Sequence, residues 1–295
     1  MPTRSIDTLC AENLNHGGHE GFSGARRAGR GTSRAKRQAR TEAACRSFLF
    51  PLLAILPLAS ACSQPPEDRG ERQALVAEIE RQVDETRREL GFDQLDPGVR
   101  AALLAVPRHA FVPPSLRREA YGNYPLPIGA GQTISQPYIV AIMTQLLQVK
   151  PGERVYELGT GSGYQAAVLA ELGVEVYSVE IVPELAERAQ TTLGALGYDK
   201  VHVRAGDGYL GWPEAAPFAG ILVTAAGEQV PRPLADQLAV GGRLVMPVGP
   251  AGWTQELVVL TKRADGSLAR RSVLPVRFVP ITGDHAERPA GAEGR

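Results

Sequence analysis

Three glycines at alternate positions in Glu157-Leu-Gly159-Thr160-Gly161-Ser162-Gly163-Tyr164, two residues behind a carboxylate, have the residue types of a nucleotide cradle. Glycines at that spacing let a chain turn tightly and let a ligand approach the backbone closely. A dinucleotide site reads G-x-G-x-x-G, and here Tyr164 holds the place of the last glycine, which argues against NAD or FAD. The Gly-Lys-Ser/Thr ending of a P-loop is also missing, which argues against a triphosphate. Two acids fall where a nucleoside site would use them. Glu180 stands 21 residues after Gly159, at the end of the next strand-like run, where a carboxylate can accept hydrogen bonds from both hydroxyls of a ribose. Asp207, in Gly206-Asp-Gly208, follows the third such run and is placed to meet an adenine edge. Each acid alone reads as a helix cap or turn residue. On successive strand ends of one sheet, with the glycine loop, they read together as one site.

A second constellation comes earlier, Leu126-Pro-Ile-Gly-Ala-Gly131-Gln132-Thr133-Ile134-Ser135-Gln-Pro137-Tyr. Its local pattern is a Gly/Pro-shaped loop leading into a helix with Ser135 as the N-cap. The alternative is an anion site for a carboxylate, built from free backbone N–H groups at the helix start and the Thr133 and Ser135 hydroxyls. The local residues leave both readings open.

The elements that must position these groups follow from periodicity. Glu71–Leu90 carries Leu75, Val76, Ile79, Val83 and Leu90 near a 3.6 period and predicts an amphipathic helix. Asp96-Pro97 predicts the start of a second, through Ala105, and Tyr138–Val149 a third. From Gly152 strands and helices alternate: strands at Arg154–Leu158, Val174–Val179, Val201–Arg204, Gly220–Thr224 and Arg243–Val248, and helices at Gln165–Leu172, Pro183–Leu196 and Pro231–Leu238. Such alternation means βαβ units and a mainly parallel sheet with helices on both faces. Glu256–Lys262 and Ala269–Phe278, joined by Ala264-Asp-Gly266, predict a closing β-hairpin.

The whole chain has 295 residues, 32 basic against 32 acidic, which argues against a surface built to hold polyanions. Cys10, Cys45 and Cys62 all precede residue 63, so the remainder can form no disulfide and no thiolate metal site. The charge balance hides a basic stretch: Arg26 to Arg46 holds eight basic residues and one acid, Glu42. Residues 1–47 read as a disordered basic extension, a solvated tail rather than a nucleic-acid arm. Residues 48–62 form a short apolar run ending Leu58-Ala-Ser-Ala-Cys62, too short to cross a bilayer and shaped like a secretory or lipoprotein signal. Residues 63–70 read as a tether, 71–283 as one catalytic-sized domain, and 284–295 as a frayed tail.

The E/D-x-G-x-G-x-G loop resembles that of S-adenosylmethionine-dependent methyltransferases. Taken with Val106-Pro-Arg-His-Ala-Phe-Val112, Thr133-Ile-Ser-Gln-Pro137, Gly206-Asp-Gly208, Val223-Thr-Ala-Ala226, Gly241–Val248 and Arg277-Phe-Val-Pro-Ile281, it resembles the protein-L-isoaspartate O-methyltransferase family over about residues 72–283. The resemblance implies a Rossmann-like α/β methyltransferase fold, S-adenosylmethionine as donor, and isoaspartyl residues of damaged proteins and peptides as acceptor. It implies Ser135 as the catalytic residue, with Gln132, Thr133 and Ile134 beside it at the substrate. Glu157, Gly159, Thr160, Gly161, Ser162, Gly163, Glu180, Asp207 and Gly208 are implied at the cofactor, with no metal. The usual member of the family is cytosolic, and a monomer with no nucleic-acid partner is expected; lipidation of Cys62 would instead tie the chain to a membrane. Ala219 departs from the family, which usually has Asp at the start of that strand. The alternatives are a non-catalytic binding domain and a small-molecule methyltransferase on the same fold.

Overall fold

A computed structural model of the chain describes residues 68–283. The segments expected at 1–47, 48–62 and 284–295 lie outside the described residues, as do residues 63–67 of the expected tether. Helix α1, Arg69–Glu85, begins within the last tether positions and buries Leu75, Val76, Ile79 and Val83 along one stripe. The single helix expected through Leu90 is broken at Thr86, whose hydroxyl donates back to the Gln82 carbonyl at 2.8 Å. Such a bond competes with the helical ladder. The short α2, Arg87–Leu90, then ends at Gly91 in the left-handed region. Helix α3, Pro97–Ala105, has the expected start: Pro97 at the first position and the Asp96 side chain accepting from the Gly98 N–H at 2.8 Å.

The segment read as a loop is a small antiparallel hairpin, β1 Leu126–Gly129 and β2 Gln132–Ile134. Its two turn residues, Ala130 and Gly131, both have positive φ (50° and 70°), the twist that a two-residue hairpin turn needs. Helix α4, Pro137–Leu147, follows, with nine of its eleven residues buried. Its N-cap is Gln136, not Ser135 as expected, because the first available N–H, that of Tyr138, is satisfied by Asn123 Oδ1 at 3.0 Å.

The alternating part runs β3 Arg154–Leu158, α5 Tyr164–Glu171, β4 Glu175–Glu180, α6 Pro183–Ala195, β5 Val201–Ala205, β6 Phe218–Val223, α7 Arg232–Gln237 and β7 Leu238–Val248. Strands β8, Gln255–Lys262, and β9, Leu268–Val276, form the expected closing hairpin. One seven-stranded sheet has the order β5-β4-β3-β6-β7-β8-β9, parallel from β5 to β7 and antiparallel beyond. Alternate residues feed two cores. Val155, Val176, Leu222 and Val245 pack under the helices α1 and α3 to α6, and Tyr156, Ile221, Leu244 and Met246 pack with Leu234 of α7 on the other face.

The chain winds outward from β3 through β4 to β5, then returns to lay β6 on the other flank of β3. Connections leaving β3 and β6 therefore diverge, and a crevice opens at the carboxyl ends of the strands, where such folds bind ligands. Among the described residues no helix is long and apolar enough to cross a membrane.

The Asp96 cap lies on α3, outside the cleft lining. Asp96→Ala should cost about 1 kcal/mol and lower the melting temperature by roughly 2–4 °C, with the chain's activity retained. Thermal unfolding followed by circular dichroism, beside an activity assay, checks both parts.

Candidate active site

Strand β3 hands the chain to the glycine loop at Gly159, which takes φ +93°. Its N–H donates to the Val179 carbonyl of β4 at 2.8 Å, and its carbonyl accepts from Thr224 Oγ1, just past β6, at 2.7 Å. A Cβ on Gly159 would lie 2.4 Å from that Thr224 oxygen, so glycine is required by contact as well as by backbone angle. Gly161, φ +54°, donates its N–H to Glu180 Oε2 at 2.7 Å, while Val182 donates to Glu180 Oε1 at 3.0 Å. The Glu180 carboxylate is thus held in plane by two backbone N–H groups. With about four lone-pair positions in all, it retains acceptor capacity for a diol.

Beneath the loop runs a buried polar chain. Ser178 Oγ, on β4, donates to Glu157 Oε2, and the Thr160 hydroxyl, 2.6 Å away, donates to Ser178. Glu157 is fully buried and does not line the cleft; it holds the loop from below, in contrast to the cofactor contact that the resemblance implies. Burial pushes its carboxyl up to about 8, against the opposing Ser178 hydrogen bond and with some help from the negative Glu180 nearby. Its Oε1 has no hydrogen-bond partner among the described residues. Gly163 is likewise outside the lining: at φ +89° it caps α5, packed so closely that a Cβ would meet Leu193 Cδ1 at 3.1 Å.

The remaining expected residues meet around one open cleft. Gln132, Thr133, Ile134 and Ser135 form one wall, and Gly159 to Ser162 the floor. Glu180, Asp207 and Gly208 complete the side beyond β4 and β5. Asp207 Oδ1 accepts from the Tyr209 N–H at 2.9 Å, and the Gly208 carbonyl is anchored by the buried Tyr156 hydroxyl at 2.7 Å. Ser135 is half-buried, and its hydroxyl makes no hydrogen bond within the described residues. The helix start is poorer in donors than the anion-site reading supposes, since Pro137 has no N–H and that of Tyr138 is taken by Asn123. The Thr133 and Ser135 hydroxyls remain. Ala219 sits near the amino end of β6, away from the lining.

Sequence reasoning missed several lining groups. Val279 to Thr282 form a strap across the cleft, fixed by Ala226 N–H to the Val279 carbonyl and Ile281 N–H to the Ala226 carbonyl, both 2.8 Å. The sequence marked Arg277–Ile281 as a motif of the resemblance but assigned none of its residues to the site. Gln165 lines the cleft and donates to Thr144 Oγ1 on α4 at 2.8 Å, a tie that no local pattern predicts. Tyr164 also borders the cleft, with its ring packed edge-on to Phe111 and 4.9 Å from the buried Arg108 guanidinium.

The family model for protein-L-isoaspartate(D-aspartate) O-methyltransferase matches residues 81–286. The chain belongs to the protein-L-isoaspartate O-methyltransferase family. It is 58% identical over 200 residues to the protein-L-isoaspartate O-methyltransferase of Gloeobacter violaceus, covering 68% of this chain and 96% of that one. It is 51% identical over 240 residues to protein-L-isoaspartate O-methyltransferase 2 of Syntrophobacter fumaroxidans, covering 81% and 97%. Among solved structures, a protein-L-isoaspartate O-methyltransferase superposes with a TM-score of 0.63 at 28% identity, covering 72% of this chain and 66% of that one. A Plasmodium falciparum structure described as a putative member in complex with S-adenosyl-L-homocysteine matches in fold, with a TM-score of 0.59 at 24% identity and coverage of 72% and 98%. The chain is accordingly an enzyme of this family, a methyltransferase that uses S-adenosylmethionine and acts on isoaspartyl residues.

The buried Glu157 gives a pH signature. Its proton is held more tightly in the folded chain than in the unfolded one, where a carboxyl titrates near 4.3, so stability falls as pH rises from about 4.3 to 8 and levels above. Glu157→Gln, which cannot ionise, should abolish that fall. Urea unfolding of both proteins at several pH values measures the difference in slope, and equal slopes would refute it.

Proposed function

We propose that the cleft holds S-adenosylmethionine over the glycine loop and brings its methyl group to the α-carboxylate of an L-isoaspartyl residue seated at Ser135. The observation that carries this reading is the meeting, in one cleft, of the glycine-loop floor, the Glu180 carboxylate and the Ser135 hydroxyl, which is unpaired among the described residues. The residues fit the donor. Gly159 and Gly161 leave the backbone bare, Glu180 has acceptor capacity for ribose hydroxyls, and Asp207 is aligned for the adenine edge. When bound, S-adenosylmethionine supplies an electrophilic methyl on a sulfonium centre.

The chain's own residues have little acid–base work to do. A free α-carboxylate has a reference pKa of about 3.3–3.7 and is ionised at neutral pH, so no general base is needed. The two described histidines accord with this, for His109 pairs with Asp68 and Tyr121, and His202 with Glu175, all outside the cleft lining. Ser135 orients the carboxylate by donating its hydroxyl hydrogen, with Gln132 and Thr133 on the same wall. Alignment of this kind can supply up to about 7–11 kcal/mol of the barrier. The amide nitrogen of the following residue then displaces methanol from the methyl ester to close a succinimide, which water opens partly to normal aspartate, so the biological role is protein repair. The enzyme acts as a monomer without nucleic acid, in the cytoplasm where the donor is made. Phe48–Cys62 is the one segment that favours the envelope instead.

Transfer of labelled methyl to an isoaspartyl peptide and not to its aspartyl twin is the expected result. Binding of the donor without transfer to either peptide would favour a non-catalytic domain or another acceptor. Ser135→Ala should lower kcat/KM on the order of a hundredfold with donor affinity unchanged; a parallel loss of donor binding, by calorimetry, would sink its role. Full-length chain should fractionate with the cytosol, and palmitate labelling lost in Cys62→Ser would place it at the envelope.

A further inference from the structure

The helix behind Ser135 is capped from elsewhere in the chain. The N-cap residue of α4, Gln136, makes no side-chain bond to the helix. Pro137 has no N–H, so Tyr138 offers the first donor, and Asn123 Oδ1 accepts it at 3.0 Å. Asn123 is itself held. Its Nδ2 donates to Gln82 Oε1 on α1 at 3.0 Å, which keeps the amide oxygen facing the helix. Around it, the buried Arg108 donates from Nε to the Ala120 carbonyl at 2.9 Å and from Nη2 to that of Tyr124 at 3.4 Å. Tyr138 is fixed at its far end by Thr86 Oγ1, 2.7 Å from its hydroxyl.

Serine is a favoured N-cap, and a capping side chain bonds the second or third N–H of its helix. Were Ser135 the cap, the second position would be Pro137 and the third Tyr138. The single donor open to Ser135 is therefore the one that Asn123 occupies. We propose that Asn123 is a positioning residue for methyl transfer: by taking the Tyr138 N–H, it leaves the Ser135 hydroxyl free for the substrate carboxylate. This role rests on the reading of Ser135 as the carboxylate's partner.

Removing the amide should let Ser135 turn back onto the helix. For Asn123→Ala the expected result is a fall in kcat of about tenfold, with KM for S-adenosylmethionine unchanged. Asn123→Asp keeps the acceptor and adds a charge suited to a helix start, and Gln82 can turn its amide to donate to it. That variant should stay within about twofold of wild type. In a Ser135→Ala background Asn123→Ala should cost nothing further, since there is no hydroxyl left to divert. If Asn123→Ala does not fold, Gln82→Ala, which loosens the amide from α1, replaces it with a smaller loss that also vanishes in the Ser135→Ala background. Full additivity of either variant with Ser135→Ala, or wild-type kcat in Asn123→Ala or its substitute while Ser135→Ala is impaired, overturns the role of Asn123 alone. Wild-type activity of Ser135→Ala overturns the reading beneath it.

Discussion

The cleft depends on one close approach, between the backbone of Gly159 and the Thr224 hydroxyl. That contact, with the Gly159 N–H on the Val179 carbonyl, clips together the ends of β3, β4 and β6. Because a Cβ at Gly159 would lie 2.4 Å from Thr224 Oγ1, the contact tolerates no side chain, and each neighbour takes its place from it. Gly161 then meets Glu180, Thr160 drops its hydroxyl onto Ser178, and Ala226, two residues past Thr224, carries the strap. Floor, far wall and cover follow from one turn at the topological switch point of the sheet.

Polar groups buried behind the cleft do the remaining fixing, each at a desolvation cost that a partner must offset. Glu157 lessens its cost by holding a proton and by accepting from Ser178. Arg72 spends its Nη1 on the carbonyls of Leu104 and Ala105 at the end of α3, at 2.9 and 3.1 Å. Arg108 does the same for the loop that carries Asn123, and burial lowers its guanidinium to about 10. The wall that presents Ser135 is thus braced from α1 and from the Val106–Val112 stretch, far from it in sequence.

Most of the sheet was legible because its strands are short apolar runs between glycine or proline signals, and Asp96-Pro97 marked α3 to the residue. The glycine loop, Glu180 and Asp207 were legible for the same reason, since strand ends fix where they must fall. What escaped depended on contacts across the fold. The β1–β2 hairpin hides in Pro127-Ile-Gly-Ala-Gly131, whose composition is that of a loop until Ala130 is seen at φ 50°. Ser135 has the type and place of an N-cap, and only Asn123, twelve residues upstream, removes it from that duty. Glu157 leads the glycine motif, but strand alternation turns it beneath the sheet surface beside Val155, so its service is to the loop.

Tyr164 stands where a dinucleotide-binding loop keeps its last glycine, and its ring is part of the core, wedged between Phe111 and Arg108. Ligand choice is thereby tied to folding. A change to glycine would open space for a pyrophosphate only by emptying a packed site and stripping the guanidinium of its aromatic neighbour. A change of ligand made in the loop alone would thus come at the expense of the packing on which the cleft stands.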